Sequence, residues 1–93
     1  MKIYQSGSFE KKVKKLSKPE KDVLDREITK IADDPTIGEE KKGDLHGVFV
    51  HKFKYKTTRY LLAYRVVGED LELVMIGPHE NYYRDLKKHL KSR

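Results

Sequence analysis

The predicted fold is decided by residues 49–78, which read FVHKFKYKTTRYLLAYRVVGEDLELVMIGP. Polar and apolar side chains alternate through three runs of this stretch, as in strands that cover a core with one face. Gly68-Glu69-Asp70 separates the second run from the third, and Gly77-Pro78 ends the third. Because tight connections join strands that lie side by side, the stretch predicts a three-stranded antiparallel meander.

The alternation gives the predicted sheet an aromatic face and a basic face. Aromatic side chains of one parity, such as Phe53 and Tyr60, are expected to cover the core. The opposite parity carries Leu61 and Ala63 together with five basic residues: Lys52, Lys54, Lys56, Arg59 and Arg65. Like charges on adjacent strands repel, so their grouping indicates an anionic ligand in a shallow, partly apolar cleft. The alternative is a basic sheet face that only contacts water.

Apolar residues at helical intervals precede and follow the predicted meander. A short strand at residues 1–5 precedes Phe9, Val13 and Leu16, which recur at helical intervals. Ser17-Lys18-Pro19-Glu20 has the spacing of a capping box, and the helix that it begins is expected to end at Asp33-Asp34-Pro35. Residues 35–47 are polar, contain three glycines and predict a surface loop, and a basic amphipathic helix is expected after Glu80.

These elements predict an α+β fold. We expect an N-terminal helical hairpin packed on a small antiparallel sheet, which consists of the N-terminal strand and the meander, followed by a C-terminal helix. Residues 1–93 are too few to divide their core, so a single domain is expected. The chain has no cysteine, which excludes disulfides and thiolate metal sites. No apolar stretch approaches the length of a membrane span, and a cytoplasmic protein is expected.

The net charge of +6 lies almost entirely in the second half of the chain. Residues 1–47 contain 11 Lys and Arg against 10 Asp and Glu, whereas residues 48–93 contain 10 against 5. No acidic residue occurs between Val48 and Gly68. An uncompensated basic stretch attracts polyanions, so nucleic acid is the first partner to consider.

His79 is the expected acid or base of this basic region. Metal-independent RNA cleavage needs the 2′-hydroxyl deprotonated, the phosphate stabilised by cations and the 5′-oxygen protonated. Histidine titrates near neutral pH, and His79 follows the third strand directly. His46 and His89 are expected at the surface, and His51 half-buried with a partner. One of Tyr82 and Tyr83 should anchor the last helix, and the other should stack on a base or relay a proton; Tyr83 is expected among the catalytic residues and Tyr82 among the RNA contacts.

Five motifs, in order along nearly the whole chain, resemble the RelE/ParE toxin superfamily. They are Phe9-x-x-x-Val13-x-x-Leu16, Leu45-x-Gly47, Lys52-x-Lys54, Arg59-Tyr60-Leu61-Leu62-Ala63-Tyr64-Arg65-Val66, and Ile76-Gly77-Pro78-His79-Glu80-Asn81-Tyr82-Tyr83. The resemblance implies a toxin that a co-encoded antitoxin neutralises. In the RelE branch it implies cleavage of messenger RNA in the ribosomal A site by the 2′-hydroxyl, with no metal or other cofactor.

Position by position, the resemblance implies roles for individual residues. Lys52 and Lys54 match paired strand lysines that contact RNA, His79 stands where relatives carry Arg or His, and Tyr83 matches a terminal aromatic. Leu61 departs from the pattern because an arginine is expected there. Arg59, or else Arg65, has the parity to replace it.

The predicted helix after Glu80 supplies further basic residues, Arg84, Lys87 and Lys88, as contacts for the antitoxin or for ribosomal RNA. A solvated helix face is the alternative for them. For the whole protein, the alternatives to a nuclease are a non-catalytic inhibitor of DNA gyrase, as in the ParE branch, and an inactive binding protein of the same fold.

Overall fold

A computed structural model describes residues 2–80 and 82–91, with the side chain of residue 91 left aside. Its elements are, in order, β1 (Ile3–Gln5), α1 (Gly7–Lys14), α2 (Lys18–Asp33), β2 (Glu39–Glu40), β3 (Phe49–Tyr55), β4 (Thr58–Val67), β5 (Asp70–Pro78) and α3 (Tyr82–Lys91). Two short 3-10 turns, Pro35–Ile37 and Gly43–Leu45, flank β2. The predicted α+β fold is confirmed. Within the described part of the chain, no helix is long and apolar enough to cross a membrane.

The sheet has five strands in the order β1-β5-β4-β3-β2. The β3–β4–β5 meander is antiparallel as predicted, but β1 pairs with β5 in parallel, so the expectation of a purely antiparallel sheet was wrong. The cause is the helical hairpin, which covers one face of the sheet and leads the chain from β1, at one edge, to β2, at the opposite edge. The meander then crosses the sheet back to β1, and its last strand, β5, runs in the same direction as β1.

Both helices of the hairpin begin at serine caps. The Ser6 hydroxyl accepts a hydrogen bond from Phe9 N–H, and Ser17 forms the predicted capping box with Glu20. Glu20 has a second partner, because its Oε2 accepts a hydrogen bond of 2.6 Å from the Tyr60 hydroxyl. This bond lowers the pKa of Glu20 and raises the pKa of Tyr60 to about 12. One carboxylate therefore caps α2 and ties it to β4.

Residues 35–47 are more ordered than a surface loop, which corrects the prediction. β2 pairs with β3, and Leu45 is buried. Tyr64, fully buried in β4, accepts a hydrogen bond from Gly38 N–H and donates one to the Pro35 carbonyl. A buried phenol thus holds the start of this segment against the sheet, which a pattern of polar residues and glycines does not reveal.

Apolar side chains cover both faces of the sheet. The hairpin face buries Phe9, Leu24, Ile31, Leu62, Tyr64, Leu71, Leu73 and Ile76. The opposite face buries Leu45, Val48, Val50, Leu61, Ala63, Val74, Met75, Tyr82 and Leu86 beneath α3. We call the second group the α3 cluster. Leu61 and Ala63 were expected in an open cleft, but α3 covers this part of the sheet and only its margin stays open.

A β-bulge changes the faces of β5. Ala63 pairs with Met75 whereas Tyr64 pairs with Leu73, so Val74 is an extra residue in β5. Leu73 therefore faces the hairpin while Met75, two residues later, belongs to the α3 cluster. Strict alternation would place Leu71, Leu73 and Met75 on one face, and the bulge moves Met75 to the other.

Gly38 is expected to tolerate no side chain. A Cβ at this position would overlap the Tyr64 hydroxyl oxygen, and the Tyr64 side chain is fully buried. Gly38→Ala should lower the free energy of unfolding by about 1 to 3 kcal/mol, measured by urea denaturation. Gly7→Ala is the control, because a Cβ there meets no atom within 4 Å. Equal stabilities of the two variants would contradict this account of the loop.

Candidate functional site

Three basic side chains form a row across β3, β4 and the end of β5. Lys54 on β3 is directly opposite Arg59 on β4, and His79 N–H donates a hydrogen bond of 3.0 Å to the Arg59 carbonyl. Residues opposite one another share a face, and neighbouring strands are about 4.8 Å apart, so the row spans roughly 10 Å. We call Lys54, Arg59 and His79 the basic row.

The bulge at Val74 brings His79 into this row. Without the extra residue, His79 would share the face of Leu71 and Leu73 and lie on the hairpin side. With it, the ladder continues past Pro78 so that His79 lies beside Arg59 on the α3 side. The register of β5 therefore assembles the basic row.

Lys52, Leu61 and Gly77 form the next row, one step nearer to α3. Lys52 is exposed, Leu61 is 1% exposed as part of the α3 cluster, and Gly77 has no side chain. Together the two rows enclose a cleft of about 330 Å³ lined by Lys52, Phe53, Lys54, Arg59, Leu61 and His79. We call it the basic cleft. The sequence did not indicate Phe53, because its ring has the other parity and stacks on Tyr60.

The positive charge of this cleft is not neutralised within the described part of the chain. None of the ion pairs formed there involves Lys52, Lys54 or Arg59. Three cations held this close repel one another, and an anion relieves that repulsion. The cleft therefore has the charge and the open shape to bind a phosphate group.

Two predicted members of the basic face lie elsewhere. Arg65 is six residues from Arg59 along β4, roughly 20 Å at about 3.3 Å per residue, and its Nη2 lies 2.7 Å from Glu72 Oε1. Lys56 lies in the β3–β4 turn with φ of 55°, and its Nζ is 5.6 Å from the centroid of the Tyr55 ring. Parity alone grouped these residues with Lys52. Distance along the strand and the turn conformation separate them.

The structure distinguishes the two tyrosines at the start of α3. Tyr82 is 1% exposed and donates a hydrogen bond of 2.8 Å to the Met75 carbonyl, so it is the anchor of the helix. Burial raises the pKa of Tyr82 above its ordinary value. This placement contradicts the expected contact between Tyr82 and RNA. Tyr83 is half-buried and lies beneath Lys41 in a separate cleft, apart from His79.

The basic residues of α3 surround the helix outside the basic cleft. Arg84 is exposed, with its Nε 3.7 Å from Asp85 Oδ1. Lys87 approaches Asp44 at 3.9 Å, and Lys88 borders a groove between α1 and α3. All three are accessible to a partner, but none lines the cleft with His79.

The other histidines have different surroundings. His51 Nε2 lies 2.8 Å from Glu27 Oε1, and both side chains are largely buried, as expected for a half-buried histidine with a partner. His46 is exposed as predicted, whereas His89 is half-buried, which corrects that prediction. Among the described residues, no three His, Asp or Glu side chains are arranged to hold a metal ion.

Known proteins share this architecture. The family described as ParE-like toxin of type II bacterial toxin-antitoxin system matches residues 3–87. The fold resembles a chain of the crystal structure of the intact E. coli RelBE toxin-antitoxin complex, at a TM-score of 0.68 and 20% identity, covering 85% of this chain and 96% of that one. No curated protein sequence matches the chain.

Two further E. coli RelE structures support the same fold. The isolated RelE toxin has a TM-score of 0.65 and 20% identity, covering 94% of this chain and 96% of that one. A double arginine mutant of RelE in the free state has a TM-score of 0.72 and 17% identity, covering 99% and 95%. The fold and the family match define a toxin of the RelE/ParE superfamily. The chain belongs to the ParE-like toxins of type II bacterial toxin-antitoxin systems.

The largely buried Glu27 carboxylate makes stability depend on pH. Burial opposes ionisation of Glu27, but hydrogen bonds from Lys30 and His51 outweigh it and lower the pKa of Glu27 from 4.5. Because the folded-state pKa is the lower one, the carboxylate stabilises the fold above about pH 4.5, and this contribution is lost as the pH falls through the folded-state value.

Glu27→Gln should therefore lower the free energy of unfolding by about 1 to 2 kcal/mol at pH 7. The difference from wild type should shrink as the pH falls below 4.5 and through the lower folded-state pKa of Glu27. Denaturant titrations at several pH values measure it, with Glu69→Gln, in an exposed turn, as the control. A difference that stays constant from pH 7 to pH 3 would show that ionisation of Glu27 is not the source.

Proposed function

We propose that this toxin is an endoribonuclease that cleaves messenger RNA on the ribosome without a metal ion. The observation that supports this proposal is the basic row: His79 lies next to Arg59 and Lys54 in an accessible cleft whose cations have no carboxylate partner in the described part of the chain. Membership of a toxin family is consistent with an activity that arrests growth. Such an activity belongs in the cytoplasm, where messages are translated.

The reaction needs few groups. The 2′-oxygen of one nucleotide attacks the adjacent phosphorus, the bond from phosphorus to the 5′-oxygen breaks, and the products are a 2′,3′-cyclic phosphate and a 5′-hydroxyl. The 2′-hydroxyl loses its proton to solvent, and His79 as imidazolium gives one to the departing 5′-oxygen. Lys52, Lys54 and Arg59 stabilise the charge on the phosphate oxygens.

Arg59 replaces the arginine that the superfamily pattern expects at position 61. Leu61 is buried in the α3 cluster and leaves a short apolar floor in the cleft. Arg59 has the same parity two residues earlier, is exposed, and lies between Lys54 and His79. Its guanidinium can donate two parallel hydrogen bonds to a phosphate. The catalytic set that we propose is Lys52, Lys54, Arg59 and His79, without Tyr83.

A protein antitoxin is the proposed partner, since the family consists of toxins of type II systems. Arg84, Lys87 and Lys88 give α3 an accessible basic surface, which suits an acidic antitoxin segment or, in its absence, ribosomal RNA. Co-purification with the protein encoded by the neighbouring reading frame tests this partnership.

A ParE-like, non-catalytic inhibitor of DNA gyrase is the second candidate, favoured by the family match and by Leu61 at the expected arginine position. The two candidates differ in their need for His79. Inhibition of supercoiling that survives His79→Ala, with messages intact during growth arrest, would establish the second candidate.

His79→Ala is expected to reduce message cleavage by about 100-fold to 10,000-fold, the usual contribution of a general acid. Its melting temperature should not change, because the side chain is exposed. Mapping of message 5′-ends after induction measures cleavage. His46→Ala is the control, since His46 is an exposed histidine outside the cleft. Full cleavage by the His79 variant would refute the assignment of the acid.

Lys52→Ala combined with Lys54→Ala should lower cleavage by at least about 100-fold, because two charges that stabilise the phosphate are removed. Both side chains are exposed, so the fold should be retained in a circular dichroism melt. The charge-matched control is Lys14→Ala combined with Lys18→Ala, two lysines of the hairpin in weak surface ion pairs. Equal losses of cleavage in both double variants would show that the effect comes from net charge alone.

A further inference from the structure

A second cleft lies beside α3, at the other end of β3 from the basic row. It measures about 260 Å³ and is lined by Lys41, Lys42, Leu45, Tyr83 and Lys87. Lys41 and Lys42 follow β2, whereas Tyr83 and Lys87 come from the first two turns of α3. Residues from separate parts of the chain thus place three amines around one phenol.

Lys41 is held in place within this cleft. Its Nζ lies 4.9 Å from the centroid of the Tyr83 ring and 3.2 Å from Glu39 Oε1, and its side chain is only 19% exposed. Burial lowers the pKa of Lys41, but hydrogen bonds to Tyr83 and Glu39 outweigh it and raise the pKa above 10.5, so the amine is cationic. A half-buried cation with a fixed position has little side-chain entropy left to lose on binding an anion.

The acidic neighbours do not neutralise the cleft. Glu39 and Asp44 are both more than half exposed, and Asp44 is 3.9 Å from Lys87, a separation at which a surface ion pair contributes little. Lys42 is exposed and forms no ion pair with the described carboxylates. Lys42 and Lys87 can therefore turn towards a ligand, while Lys41 and the Tyr83 hydroxyl form its fixed side.

The two clefts open on the same side of the sheet. Leu45 borders the second and Leu61 the first, and both belong to the α3 cluster. Lys41 N–H donates to the Val48 carbonyl, and Val48 is four residues before Lys52, or roughly 13 Å along the strand direction. A single strand of a few nucleotides can reach from one to the other, within the usual site sizes of about 4 to 16 nucleotides.

We propose that Lys41, Lys42, Tyr83 and Lys87 form a second phosphate-binding subsite, which holds the RNA strand a few nucleotides from the bond cleaved in the basic cleft. The inference rests on the proposed function, since the basic cleft must bind RNA first. The ligand is a backbone phosphodiester, because amines and a phenol contact its oxygens without reading a base.

The test is binding of 2′-O-methyl RNA, which has no free 2′-hydroxyl and stays intact, to the wild-type protein and to Lys42→Ala combined with Lys87→Ala. Strands of three and ten nucleotides are compared by fluorescence anisotropy. The longer strand should bind wild type more tightly, and this advantage should fall by about 10-fold in the double variant. The slope of log affinity against log salt should fall by about 1.4, two contacts at about 0.7 each.

The control is Lys14→Ala combined with Lys18→Ala, which removes equal charge from the hairpin and should keep the advantage of the longer strand. An unchanged advantage in the double variant of Lys42 and Lys87 would overturn the subsite. A loss of poly-glutamate binding in that variant, with RNA binding intact, would also overturn it and assign the cleft to an acidic protein segment. If the proposed function is wrong and the basic cleft does not bind RNA, Lys52→Ala combined with Lys54→Ala will bind the three-nucleotide strand as tightly as wild type does. That result is separate from the loss of the subsite.

Discussion

The β-bulge at Val74, one extra residue in the pairing of β4 with β5, fixes which side chains of β5 face each core. Before the bulge, Leu71 and Leu73 face the hairpin. After it, Met75 and the odd-numbered residues that follow lie on the α3 side. Gly77 and His79 are among them, so the histidine of the basic cleft lies on the side of Arg59. One inserted residue thus determines both which side chains pack in each core and which residues form the site.

Covering both faces of a sheet leaves little of it accessible, and this explains where the clefts lie. Helices α1 and α2 cover one face, and α3 covers the middle of the other through Tyr82 and Leu86. The strand ends beyond α3 stay open, and these ends carry Lys52, Lys54 and Arg59 without carboxylate partners among the described residues. Arg65, further along β4, pairs instead with Glu72. The fold thus leaves unpaired positive charge where a phosphate can approach.

The members of the site were predictable to different degrees. Parity in β3 and β4 predicted that Lys52, Lys54 and Arg59 share a face, because alternation depends only on backbone geometry. It failed for Lys56, which adopts a left-handed turn conformation, and it could not measure how far Arg65 lies from the row. Tyr82 and Tyr83 were equivalent in sequence, and only the packing beneath α3 assigned one to the core and the other to a second cleft. The part played by Lys41 had no local signal, since it depends on a loop held by Tyr64.

Elements with local causes could be predicted from the sequence. The capping box at Ser17 and Glu20, the strand alternation of residues 49–67 and the acid-free stretch from Val48 to Gly68 follow from neighbours a few positions apart. Long-range packing fixed the parallel pairing of β1, the register of β5 and the side of the sheet on which His79 lies. These features depend on contacts between residues far apart in the chain, and their free energies are set by packing against both faces at once, which no local pattern contains.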